Sequence, residues 1–153
     1  MSRFRNKRRK QNDTEAAKSR ISSENQTTFT NAFSTFSVSD VQKAKKFYGE
    51  TLGIDVKKEE EGLRLEFEAG QVVFLYPKDD HKPATFTVLN LPVDNIALAV
   101  DDLAARGIKF EKYGGEIGTD EKGIFWGKKD GHGPNIAWFK DPDGNILSVI
   151  ESR

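Results

Sequence analysis

The side chains able to do acid, base or metal chemistry are few and scattered. There are two histidines, His81 and His132, and no cysteine among 153 residues. The absence of thiols removes thiolate nucleophiles, cysteine-ligated zinc and disulfides, and it fits a reducing, cytoplasmic setting. His81 falls in the polar run KDDHKP and His132 between two glycines, so both read as loop residues. His132 has the chemistry of a proton shuttle, but no carboxylate or nucleophile is spaced to work with it. Glu66, Glu68 and Glu151 are carboxylates on strand-like stretches. No Ser-His-Asp signature, phosphate loop, dinucleotide fingerprint or HExxH motif is present.

Any site must be positioned by a framework, and the chain carries one framework twice. FSTFSVSDVQKAKKFYGETLGI at 33–54 is answered by VLNLPVDNIALAVDDLAARGI at 88–108. Val38 matches Val93, Asp40 matches Asn95, and Gly53 matches Gly107. Two copies are too few for a solenoid, which needs about three stacked units, so they indicate a duplicated module. In the first copy, 29–38 is rich in aromatic and β-branched residues and reads as a strand. Ser39-x-x-Gln42 is a capping box, with Asp40 adding charge to the first turn. Val41, Ala44, Phe47, Tyr48 and Leu52 then form an apolar helical stripe, which Gly53 stops. Strands are expected at 55–60, 63–68 and 72–76. The first is a charged edge, and the second alternates Leu63, Leu65 and Phe67 with charge. The third, VVFLY, is apolar on both faces and therefore central, with Pro77 closing it.

A linker at 78–83 leads to the second copy, which opens with a strand at 85–93. Asp94 is expected to cap a helix with Ile96, Ala99, Val100 and Leu103 inward, ending at Gly107. A strand at 108–113 is followed by a glycine-rich loop over 114–133 holding Trp126 and His132. A strand at 135–140, a DPDG turn at 141–144 and a strand at 145–151 complete the copy. Each module therefore reads βαβββ, over 29–77 and 84–151, within one α+β domain at 29–153. The expected architecture is a curled mixed sheet with helices on one face.

Strand alternation sends Phe33, Thr35 and Ser37 to the face away from the helices. The same rule sends Val72, Phe74 and Tyr76 there, with Phe86, Val88, Asn90, Ile146, Ser148 and Ile150. That inner face is apolar and aromatic, with sparse hydroxyls and one amide. It suits capture of a hydrophobic or aromatic small molecule held by a few hydrogen bonds, and the same side chains would equally fill a core. Trp126 reads either as a lid over a ligand or as a lone surface aromatic, and Trp138 as core.

Charge is unevenly placed. Residues 1–20 carry eight basic and two acidic side chains, and the remainder has a net charge of −6. Residues 1–28 contain too little apolar surface to offset the entropy of ordering, and read as a disordered basic tail. Nucleic acid or an acidic surface is therefore a partner only through this tail, which would make the protein an interaction module. No run approaches the ~18 apolar residues of a membrane span.

Three stretches resemble the vicinal oxygen chelate superfamily of glyoxalases, bleomycin-resistance proteins and extradiol dioxygenases: VSDVQKAKKFYGETLGI at 38–54, VDNIALAVDDLAARGI at 93–108 and WFKDPDGNILSVIE at 138–151. The resemblance covers about residues 31–151. It implies the duplicated fold, a homodimer and, in metal-using members, four inward positions that chelate one divalent ion. Here those positions fall at Phe33, Phe74, Val88 and Ser148, three hydrocarbon side chains and a poor hydroxyl ligand. A one-residue slip does not restore a donor set. The expectation is thus metal-independent binding of a small molecule, of the sequestration or resistance type, with no cofactor and no assigned catalytic residue. The alternative is a metal-dependent lyase, isomerase or dioxygenase of the same superfamily.

Overall fold

Asp40 and Asn95 set the two helices in the same way. Each is extended, and each accepts a bond from the backbone N–H three residues on, Lys43 or Leu98, at 3.0 Å. The cap of the second helix is therefore Asn95, the counterpart of Asp40, and not Asp94. The computed structural model describes residues 26–152, so the expected tail at 1–28 lies almost wholly outside the described residues. The elements below all belong to the unit over residues 33–153.

In the first module, β1 (Ser34–Val38) leads to α1 (Val41–Lys45), then β2 (Asp55–Glu59), β3 (Gly62–Glu66) and β4 (Val72–Pro77). The helical stripe does not continue as α-helix: Lys46–Thr51 is a π-helix, with Leu52 N–H bonding to the Phe47 carbonyl at 2.9 Å. In the second module, β5 (Thr87–Val93) leads to α2 (Ile96–Ala105), β6 (Ile124–Trp126), α3 (Gly127–Asp130), β7 (Asn135–Lys140) and β8 (Ile146–Glu151). The sheets are four-stranded and mixed, in the orders β1-β4-β3-β2 and β5-β8-β7-β6. The α+β duplicated architecture is as expected, with β4 and β8 inside and the charged β2 at an edge.

Three local expectations fail for physical reasons. The strand expected from residue 29 begins at Ser34, because β4 offers no partner before Val72. The strand expected at 108–113 is a single bridge, Phe110 to Phe139. Its partner β7 already pairs Asn135–Ala137 with β6, which leaves only the far end free. The third outer strand is instead Ile124–Trp126, inside the stretch expected to be loop.

The core lies on the helix side of both sheets. Val38, Leu63, Leu65 and Leu75 join Tyr48 and Ala44 there, and Ile96, Val100, Phe139, Leu147 and Val149 extend the cluster through the second module. Phe47 bridges the modules, 5.1 Å from Tyr48 and 6.4 Å from Phe139 between ring centroids. No described helix is long and apolar enough to cross a membrane.

Candidate functional site

Cross-strand register decides which side chains share the inner face, because directly paired residues point the same way. Thr35 pairs with Phe74 and Ser37 with Tyr76 in the first sheet. Asn90 pairs with Ser148 in the second. None of Phe33, Phe74, Tyr76, Val88, Ile136, Trp138 or Ile150 belongs to the core cluster or to the half-buried shell on it. Phe33 is 66% exposed and Thr35 and Asn90 are exposed, while Phe74, Tyr76 and Val88 are half-buried. The inner faces are thus open aromatic surfaces, with Ser148 alone of the expected residues fully buried.

Polar groups on these faces are satisfied locally. The Thr35 hydroxyl donates to the Phe74 carbonyl at 2.8 Å, and Ser148 Oγ donates to Asn90 Oδ1 at 2.6 Å. Val88 sits at a register break between Thr87 and Leu89, an extra residue that interrupts alternation in β5. Phe86 lies before β5 and is 68% exposed. Trp126 ends β6 and pairs with Asn135, two residues from the core pair of Ile124 and Ala137, so it lies on the helix side of the sheet and not on the inner face. Its indole N–H donates to Asp120 at 2.9 Å, and the other carboxylate oxygen of Asp120 takes the Ile124 and Lys122 N–H groups. Burial pushes the Asp120 carboxyl up, and these bonds outweigh burial, leaving it below the usual carboxylate range.

Several inner-face residues were not singled out as site residues by sequence reasoning. Trp138 pairs with Ser148 and is flanked by Tyr113 at 5.5 Å and Phe125 at 6.4 Å between ring centroids. Burial, helped by Glu111, raises the Tyr113 hydroxyl above its ordinary value. Arg64 pairs with Phe74 on one side and Lys57 on the other and holds Glu59 at 2.6 Å, so the first sheet presents two cations and a carboxylate beside its aromatics. Period-two alternation does place Arg64 and Trp138 on this face. Tyr113 and Phe125 stood in stretches whose pairing was not legible.

The two modules are joined by a buried polar network. Tyr48, fully buried in the π-helical turn, donates to Asp141 Oδ2 at 2.7 Å. Asp141 Oδ1 takes the N–H groups of Asp143 and Asn145, and Asn145 Nδ2 reaches both Asp141 Oδ2 and the Ser37 carbonyl at 2.9 Å. Burial and then the Asp141 carboxylate hold the Tyr48 phenol far above its usual value, so it remains a donor.

A metal of the kind used in the resembling families does not fit these residues. Phe33, Phe74 and Val88 have no donor atom, and the Ser148 hydroxyl is committed to Asn90. Among the described residues no group of three or more His, Cys, Asp or Glu side chains is placed to hold an ion. Two surface grooves of ligand size lie away from the inner faces. One, of about 670 Å³, is lined by Val100, Ile108, Phe110 and Lys122 among others, and one of about 520 Å³ by Gln42, Lys46, Ile54 and Val56 among others.

Paired βαβββ modules with helices on one face and an open inner surface on the other define the class of protein. The chain belongs to the Glyoxalase/Bleomycin resistance protein/Dioxygenase superfamily, whose family model matches residues 29–149. It is 25% identical over 126 residues to a probable lactoylglutathione lyase of Vibrio parahaemolyticus, covering 76% of this chain and 86% of that one. Among solved structures it resembles the fosfomycin resistance protein FosX of Listeria monocytogenes, with a TM-score of 0.59 and 12% identity over 83% of this chain and 96% of that one. It also resembles TnmS3, an antibiotic binding protein of a Streptomyces species, with a TM-score of 0.55 and 23% identity over 83% and 100% of the two chains. Likeness at these structural identities establishes the fold.

Proposed function

We propose that this protein binds a hydrophobic or aromatic small molecule on its inner sheet faces without a metal ion, as a sequestration or resistance-type protein. One observation carries the reading: the four positions aligned with metal ligands hold Phe33, Phe74, Val88 and Ser148. Phe74 and Tyr76 on one sheet and Trp138 on the other give flat areas for a ligand to stack on, and the exposed Thr35 and Asn90 supply sparse polar contacts. Trp126 faces the helix side of β6 and takes no part in this reading. A homodimer would cover the open inner faces, and a cytoplasmic setting agrees with the lack of cysteine. Any association through the basic tail is a separate role, outside the described residues.

The test is a thermal-shift screen of planar aromatic compounds and antibiotics on metal-stripped protein, paired with elemental analysis of the protein as purified. A ligand-dependent rise in Tm that survives chelation supports the reading. Binding that appears only with added divalent metal, or stoichiometric metal in the purified protein, overturns it. The second reading, a metal-dependent lyase, is favoured by the 25% identical relative described as a probable lactoylglutathione lyase. It requires a donor set other than the four aligned positions.

A further inference from the structure

One histidine and one serine that the binding reading does not use lie in contact where the modules meet. Ser37 Oγ, on β1, is 2.6 Å from His81 Nδ1, in the segment that links the modules. His81 Nε2 is 3.1 Å from the backbone carbonyl of Asp143, in the β7–β8 hairpin. A carbonyl oxygen only accepts, so Nε2 carries the ring proton and donates it to Asp143. In the neutral form of the ring the lone pair then lies at Nδ1, where the Ser37 hydroxyl can donate to it. Nucleophile, base and orienting group are in sequence, the arrangement that activates serine for attack.

The surroundings hold this arrangement still and leave it accessible. The Asp143 N–H is fixed to Asp141 Oδ1 at 2.9 Å, and the His81 N–H to the Lys78 carbonyl at 3.0 Å. The Ser37 carbonyl is held by Asn145 Nδ2, which pins the nucleophile's backbone. Ser39 hydrogen-bonds one oxygen of the Asp143 carboxylate, so that carboxylate is tied to the helix entrance and the carbonyl orients the imidazole. Ser37 is half-buried and pairs with Tyr76, which places its hydroxyl on the open inner face beside the aromatics.

We propose that Ser37 is a nucleophile activated by His81, acting on small esters with good leaving groups. The Ser37 oxygen forms a bond to the acyl carbon while its proton passes to His81 Nδ1. The bond to the leaving oxygen breaks, and that oxygen takes the proton from His81. Water then attacks the acyl-serine, giving a proton to His81 that returns to Ser37 as the carboxylic acid leaves. The orienting group is a neutral carbonyl, which stabilises the imidazolium less than a carboxylate would, and this confines the chemistry to activated acyl groups. The inference goes beyond the binding reading and does not depend on it.

The experiment treats the full-length protein with a fluorophosphonate, whose P–F bond breaks as serine attacks, and maps the adduct by mass spectrometry. The expected result is a single adduct at Ser37 and an initial burst with p-nitrophenyl acetate. Ser37→Ala should abolish both, and His81→Gln should slow labelling by about 100-fold, the lower end for losing a general base. Circular dichroism shows whether each variant is folded. Wild-type protein that stays unlabelled, label at another residue, or a folded His81→Gln labelled at the wild-type rate each overturns the proposal. A His81→Gln whose Tm falls while the wild type takes no label marks the contact as structural only, and also overturns it. Ligand-induced Tm shifts are read separately, so the binding reading and this one fail independently.

Discussion

The β3–β4 turn and the β7–β8 turn are the same backbone with different contents. In the first, Phe67 N–H bonds to the Gln71 carbonyl and Gly70 N–H to the Phe67 carbonyl; in the second, Asp141 bonds with Asn145, and Gly144 with Asp141, in the same pattern. Both turns place glycine at positive φ, 94° at Gly70 and 85° at Gly144. Phe67 is an apolar neighbour of the core, whereas Asp141 is the centre of the buried network that takes Tyr48. The strand ends differ likewise: Val38 pairs with Pro77, and Val93 with Glu151. Duplication has kept what the backbone needs and let the side chains diverge. The second module carries the polar ties, and the first carries the more open aromatic surface.

The largest break in this comparison should come from Asp141→Ala. It leaves the Tyr48 hydroxyl and two backbone N–H groups without their acceptor, and Asn145 Nδ2 with only the Ser37 carbonyl. At roughly 1–3 kcal/mol per unpaired buried group, a loss of about 3 kcal/mol or more is expected from urea unfolding. Phe67→Ala, the matching change in the first module, should cost less, since Phe67 is only half-buried. Equal losses would show that the second turn has no special role.

The two glycines give a smaller and sharper contrast. Alanine at either position meets the left-handed penalty of about 1 kcal/mol. A Cβ at Gly70 would meet open space, while one at Gly144 would lie 3.2 Å from Pro83 Cγ. Gly144→Ala should therefore lower the unfolding midpoint further than Gly70→Ala, and the reverse order would contradict the geometry.

The smallest effect concerns Glu151, whose place in the first module is held by Pro77. Its carboxylate accepts from the Ile96 N–H at the start of α2, from Lys128 and from Asn135. The Ile96 bond foremost, then Lys128, holds the carboxyl below the usual range. A lowered folded pKa gives stability that is present above the unfolded carboxylate's titration and lost as pH falls through the folded one. Glu151→Gln should thus flatten part of the acid limb in a plot of Tm against pH, and Tm near neutrality should fall only slightly. An unchanged acid limb would remove Glu151 from the account.

Much of this was legible in the chain because it is local. Asp40, Gly53, Gly107 and the DPDG turn announce themselves by residue type and by repetition. The strand at Ile124–Trp126 was hidden because three residues between glycines give no period, and it is held by the Asp120 side chain. The π-helical turn was hidden because the spacing of Phe47, Tyr48 and Leu52 satisfies an α-helical stripe equally well. Ser37, His81 and Asp143 form no motif, since the contacts span 44 and 62 residues and exist only once the modules meet.

The bonds from Tyr48 to Asp141 and from Asn145 to the Ser37 carbonyl have a consequence for the history of the chain. An ancestral single copy could have matched with any identical copy. The first half now carries groups that only the second can satisfy, so that half expressed alone would leave the Tyr48 phenol without its acceptor and the Ser37 carbonyl without its donor. Co-expressed halves should find one another, and the first should not be soluble in isolation.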